Sequence, residues 1–185
     1  QNEHDACGVG MVVNIKNKAS YEIVSKGLSM LCNLEHRGAV GADPKAGDGS
    51  GLLIQIPHKF LKKKIEGNFL LPEIGDYAVG VIFMPKEKNN QEIIKNLIEE
   101  KCLDEGFDIL GWRVCPTQTG DLGWSVLPST PDVFQMFIKR PNTFKTQDDF
   151  ERNLYILRRC IEESIVKISK TLKEGFYIPS LSSRT

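Results

Sequence analysis

Three stretches of this chain are apolar on both of their alternating faces, and that pattern restricts the fold more than any other feature. Cys7 to Ile15 sets Val9, Met11, Val13 and Ile15 on one side and Gly10 and Val12 on the other, and Leu52 to Ile56 is apolar but for Gln55 until Pro57 closes it. Tyr77 to Met84 sets Tyr77, Val79, Val81 and Phe83 against Ala78, Ile82 and Met84, and Pro85 stops it. A strand with one wet face alternates apolar with polar residues, so strands of this kind are covered on both sides. Two architectures supply that cover: a parallel sheet wound between helices, or two stacked sheets with helices outside. Periodicity does not separate them.

The other segments alternate strand with helix. Ser20 is placed to cap a helix carrying Ile23, Val24, Leu28, Leu31 and Leu34 until Gly38 stops it. Phe60 to Ile65 reads as a short helix, and Asn89 or Asn90 caps another that carries Ile93, Ile94, Leu97 and Ile98, with Gly106 after it. Phe107 to Val114 and Val133 to Ile138 read as strands, separated by the irregular Cys115 to Pro131. Thr146-Gln147-Asp148-Asp149 fits a capping box. Behind it Phe150, Leu154, Leu157, Ile161, Ile165, Ile168 and Leu172 step by three and four to Gly175, and Phe176 starts a last strand. The expectation is one mixed domain of about six or seven strands with helices between them.

A chain of 185 residues, 41% hydrophobic and 26% charged, is long enough to bury a core without staples. The 24 basic and 24 acidic residues are intermixed and cancel, which argues against nucleic acid or an anionic membrane surface as partner. The five cysteines (Cys7, Cys32, Cys102, Cys115 and Cys160) form no C-x-x-C pair, so neither a zinc site nor a disulfide framework is expected. No stretch reaches the ~20 apolar residues of a membrane span. A reduced, cytoplasmic setting is expected, a plastid not being excluded. Gln1 in place of Met, and the Ser180 to Thr185 end, read as a processed or excised piece.

Four groups of residues could carry chemistry. Cys7 heads the first apolar run with Gly8 and Gly10 beside it, so a carbonyl could approach its sulfur closely. His36-Arg37-Gly38 ends a helix, where His36 and Arg37 would complement the dipole and Gly38 would be left-handed. The loop Gly47-Asp48-Gly49-Ser50-Gly51 has glycines like a phosphate cradle, but it precedes a strand instead of opening a helix and lacks a Gly-Lys-Ser/Thr ending. His4 and His58 stand at no metal-ligand spacing and are expected at the surface; no metal site is expected.

Cys7-Gly8-Val9-Gly10, His36-Arg37-Gly38-Ala39 and the Gly47 to Gly51 loop together resemble the class II glutamine amidotransferase family, in the form that opens glutamate synthases. Glu3-His4-Asp5-Ala6 resembles the tail of that family's removed leader. Gly111-Trp112-Arg113, Gln135 to Ile138, Leu154 to Arg159 and Phe176 to Thr185 extend the likeness in order over essentially the whole chain. The Cys-Gly and His-Arg-Gly elements alone are shared with amidotransferases that make asparagine, glucosamine phosphate or phosphoribosylamine. A non-catalytic module of the same fold is a further alternative.

The resemblance implies an α+β, N-terminal-nucleophile hydrolase fold, a four-layer αββα sandwich of which residues 7–185 would form the N-terminal part and residues 1–6 the leader. It implies Cys7 as nucleophile, with Arg37, Gly38 and His36 supporting the glutamine pocket, and Asp48 and Gly49 near it. The substrate implied is L-glutamine, and the ammonia released would convert 2-oxoglutarate to glutamate elsewhere in the parent enzyme. FMN and an iron-sulfur cluster belong to those other domains, possible partners being the rest of the large subunit and a small reductase subunit; no cofactor site is expected here. With Ala6 still attached, the α-amine of Cys7 is locked in a peptide bond, so the chain as written is expected to be inactive. The family's oxyanion Asn-Gly pair and its glutamine-holding arginine and aspartate are expected beyond Thr185.

Overall fold

The computed structural model describes residues 8–38, 42–47 and 49–185, and the side chains of all of these but Arg37, Lys170 and Thr171. Two compact units result: the described residues up to Ile54 together with Gln118–Thr130, and Gln55–Thr117 together with Pro131–Thr185.

In the second unit, strands β1 (Tyr77–Met84), β2 (Asp108–Val114), β3 (Asp132–Lys139) and β4 (Tyr177–Ser182) form one antiparallel sheet in the order β2-β3-β1-β4. β1 and β3 pair without interruption from Tyr77 opposite Lys139 to Met84 opposite Asp132. The α+β class is therefore present, and a parallel wound sheet is excluded for these strands. The period of two works as expected in β1. Ala78, Ile82 and Met84 join Phe134, Met136 and Ile138 in a core beneath helices α3 (Lys88–Asp104) and α4 (Gln147–Ile168), to which Ile94, Ile98, Phe150, Leu154, Leu157, Ile161 and Ile165 contribute. Tyr77 and Val79 face the other way with Phe137, against Leu61 of helix α2 (His58–Lys64), Ile65 and Phe69. Alternation alone sorts the strand between two cores because successive side chains point to opposite faces.

Several boundaries move. The α3 helix is capped by Glu87, not Asn89 or Asn90, and the Asn90 amide donates to the Glu87 carboxylate. Gly106 takes a positive φ of 75° after α3, the conformation a turn there requires. Thr146 caps α4 as expected, its hydroxyl oxygen accepting from the Asp149 N–H at 3.0 Å. The α4 helix stops at Ile168 instead of running through Leu172. Ser169 is extended at φ −161°, and a separate short helix, α5 (Lys170–Glu174), keeps Leu172 in the core. Ile168, expected on the apolar stripe, is left 55% exposed at the end of α4.

Two anticipated strands fail. From Gly8 to Asn14, and again from Leu52 to Ile56, the described backbone is not strand, and Val9 and Ile15 are 94% and 95% exposed. Apolar alternation makes a strand only where a neighbouring strand supplies a ladder of hydrogen-bond partners, and among the described residues neither run has one, the Ile56 N–H donating singly to the Arg184 carbonyl at 3.0 Å. The Asn14 side chain ends the first one, accepting from the Lys16 N–H at 2.9 Å while Asn17 adopts φ 52°. Four strands are thus formed among the described residues, fewer than the sequence suggests. Helix α1 (Tyr21–Asn33) begins after Ser20 as expected, although the Ser20 side chain makes no cap bond, and it ends before the expected Gly38.

Candidate functional site

Helix α1 gives way at Leu34 to a single 3-10 turn, Glu35–Arg37, closed by the Gly38 N–H donating to the Glu35 carbonyl at 3.0 Å. The His36 Nδ1 lies 2.9 Å from the Asn33 carbonyl, which can only accept, so this nitrogen carries the proton and satisfies one of the carbonyls a helix end leaves free. The capping role for His36 is thereby met. Gly38 corrects the expectation for it: φ is −82° and ψ 147°, extended and not left-handed, because the 3-10 turn has already redirected the chain. The Arg37 backbone belongs to the turn.

Cys7, Asp48 and His4 lie outside the described residues. Their neighbours are described. A methyl group added to Gly8 would meet the Leu34 side chain at 3.0 Å, and one added to Gly10 would come within 2.2 Å of Met30 Sδ. Two steps back along the N-terminal run match one turn forward along α1, so the run, followed back toward its start, approaches the Glu35–Arg37 end of the helix. The missing side chains at both glycines leave the Leu34 and Met30 side chains room against the run. Gly49 has φ 86° with open space where a side chain would begin, the open turn its loop predicts.

Sequence reasoning missed Asp43. It is 6% exposed, and its carboxylate accepts from the Ser125 N–H at 2.9 Å, the Ser125 hydroxyl at 2.7 Å and the Lys45 N–H at 3.1 Å. The Ser125 amide, then its hydroxyl, hold the acid below the usual carboxylate range. No spacing rule could have found this, since the partner lies 82 residues away in an irregular segment.

His58 corrects a second expectation. It is half-buried, its Nδ1 lying 3.1 Å from the hydroxyl of Tyr77, whose burial pushes the phenol up to about 12. A cleft of about 450 Å³ beside α3 and β2 is lined by Glu99, Cys102, Leu103 and Trp112. In its wall the Trp112 indole N–H donates to Glu99 at 3.0 Å. The four described cysteines are free, and no three His, Cys, Asp or Glu side chains converge among the described residues. No helix among the described residues is long and apolar enough to cross a membrane.

The profile described as glutamine amidotransferases class-II matches residues 7–185. The chain belongs to the class II glutamine amidotransferase family. It is 42% identical over 183 residues to the glutamate synthase (NADPH) large chain of Bacillus subtilis (strain 168), an alignment covering 99% of this chain and 12% of that one. It is 38% identical over 184 residues to the chloroplastic ferredoxin-dependent glutamate synthase of Oryza sativa subsp. japonica, covering 99% of this chain and 11% of that one. Against the glutamate synthase (NADH) of Saccharomyces cerevisiae it is 38% identical over 195 residues, covering 99% of this chain and 9% of that one. The chain thus spans about an eighth or less of these curated relatives.

Proposed function

We propose that this chain is the glutaminase part of a longer glutamate-forming enzyme, with Cys7 as its nucleophile. The observation that carries the reading is the packing of Gly8 and Gly10 on Leu34 and Met30, which brings the residue following Cys7 to the α1 end from which His36-Arg37-Gly38 departs. The family match also begins at Cys7. Residues 1–6 are a leader whose removal frees the Cys7 α-amine, a group of pKa about 8 that can serve as base.

In the proposed reaction the Cys7 thiol gives its proton to that amine as sulfur attacks the glutamine γ-carbonyl, forming a C–S bond and an oxyanion. The oxyanion collapses, the C–N bond breaks, and the amine returns the proton to the leaving nitrogen as ammonia departs. Water then hydrolyses the γ-glutamyl thioester, giving glutamate and regenerating the thiol. Arg37, His36 and Gly38 form one wall of the pocket, with Asp48 and Gly49 near it. Ammonia passes to other domains of the longer protein, where FMN and an iron-sulfur cluster support its addition to 2-oxoglutarate, with a reductase subunit as a possible electron source. A cytoplasmic or plastid setting suits this chemistry.

The four-layer sandwich belongs to the same reading. The exposed apolar faces of residues 8–15 and 52–56 are the surface a second sheet would cover, and the relatives extend far beyond the matched region. An electrophilic glutamine analogue tests the nucleophile. In the leader-free longer protein it should modify Cys7 stoichiometrically, as read by peptide mass, and a Cys7→Ser variant should lose glutaminase activity. Modification elsewhere, or none, sinks the reading.

A further inference from the structure

A carboxylate buried away from bulk water is costly unless its oxygens are taken up. Asp43 meets that condition wholly through Ser125 and the Lys45 backbone, and the same contact is locked sterically. A methyl group on Gly123 would sit 2.3 Å from Asp43 Oδ2, so only glycine permits the approach. The Gly123 N–H donates to the Lys45 carbonyl at 3.3 Å, and the Ala46 N–H to the Asp43 carbonyl at 3.0 Å, so the turn at 43–46 is stitched to 123–125 by backbone as well. The partner segment is ordered by its own turns, Leu122 N–H to Thr119 at 3.2 Å and Val126 N–H to Gly123 at 3.2 Å.

Asp43 stands midway between Gly38 and Asp48 in the sequence. It therefore pins the middle of the one connection that links the two elements assigned above to the glutamine pocket. A tether within a connection divides one long closure into two shorter ones. We infer that Asp43, held by Gly123 and Ser125, is a positioning residue that sets the geometry of the glutamine pocket through the 38–49 connection. This rests on the glutaminase reading, and it gives the 118–130 segment a role that reading leaves without one.

The test uses the leader-free longer protein with glutamine as substrate. Ser125→Ala removes one donor and should raise KM for glutamine while leaving kcat nearly unchanged. Asp43→Ala should lower kcat/KM by about tenfold to a hundredfold, the range a displacement of ~1 Å produces. Asp43→Asn keeps an acceptor for Ser125 and should recover most of that loss. Alkylation of Cys7 by iodoacetamide, which needs no pocket, should proceed at the parent rate in all three. If Asp43→Ala fails to fold, Ser125→Ala and Asp43→Asn decide the matter. Unchanged KM in folded variants overturns the inference, as does a drop in melting temperature without a change in KM. A parent protein with neither glutaminase activity nor a Cys7 adduct rejects the glutaminase reading itself, and the inference with it.

Discussion

The Ser183 N–H donates to the Glu151 carboxylate at 2.6 Å, joining the end of β4 to the first turns of α4. The Ser183 hydroxyl donates to the same oxygen, and the Ser182 hydroxyl to the other at 2.9 Å. Ser183 is 3% exposed, so these donors have little access to water. Glu151→Ala should therefore cost about 1–3 kcal/mol, the range for stranding a buried donor, and Glu151→Gln less, because one acceptor oxygen remains. Denaturant unfolding of the protein carrying this chain checks it. A loss below about 0.5 kcal/mol would match an ordinary surface change and contradict the account.

Gly111 on β2 lies against Phe69, whose ring would be 2.4 Å from an added methyl group. Phe69 in turn packs on buried Phe137 with ring centroids 5.2 Å apart, so it has little room to retreat. Gly111→Ala should destabilise by about 1–3 kcal/mol through overpacking. Pairing it with Phe69→Leu should recover part of the loss. A thermal-melt double-mutant cycle without such coupling would show that the ring moves freely.

Gln91 is buried and donates its amide both to the Pro85 carbonyl at 2.6 Å and to Asp132 at 2.8 Å. The Gln91 bond, with Lys88 and Lys86 nearby, holds Asp132 below the usual carboxylate range. A carboxyl whose folded pKa is lowered contributes stability above its unfolded value, near 4, and loses it as pH falls through the folded value. The stability gap between parent and Gln91→Ala should be widest above about pH 4 and should narrow in more acidic solution. In the variant, NMR titration should find Asp132 moved upward. An unmoved Asp132 would refute the link.

Cys102 is 1% exposed, and burial followed by the nearby Glu99 charge pushes its thiol up to about 12. Thiolate is the reactive form, so Cys102 should resist iodoacetamide near pH 8 and react only after unfolding. Cys32 is exposed and should react in the native protein. Peptide mass mapping before and after denaturation reads both, and labelling of native Cys102 would contradict its burial.

The sequence by itself determined the period-two division of β1, the Thr146 cap and the apolar stripe of α4, because each depends on residues within a few positions of one another. It also carried the family likeness through short motifs whose order could be read directly. It did not decide whether residues 8–15 and 52–56 become strands, since alternation records a willingness to be covered while a ladder needs a neighbour. Nor could it show that α4 breaks at Ser169, where extended backbone interrupts a continuing helical pattern. Asp43 was visible only as one acid among small residues. The tertiary structure alone gave it meaning, because burial of a carboxylate is tolerated only where donors converge, and here the principal donor, Ser125, comes from a segment far along the chain.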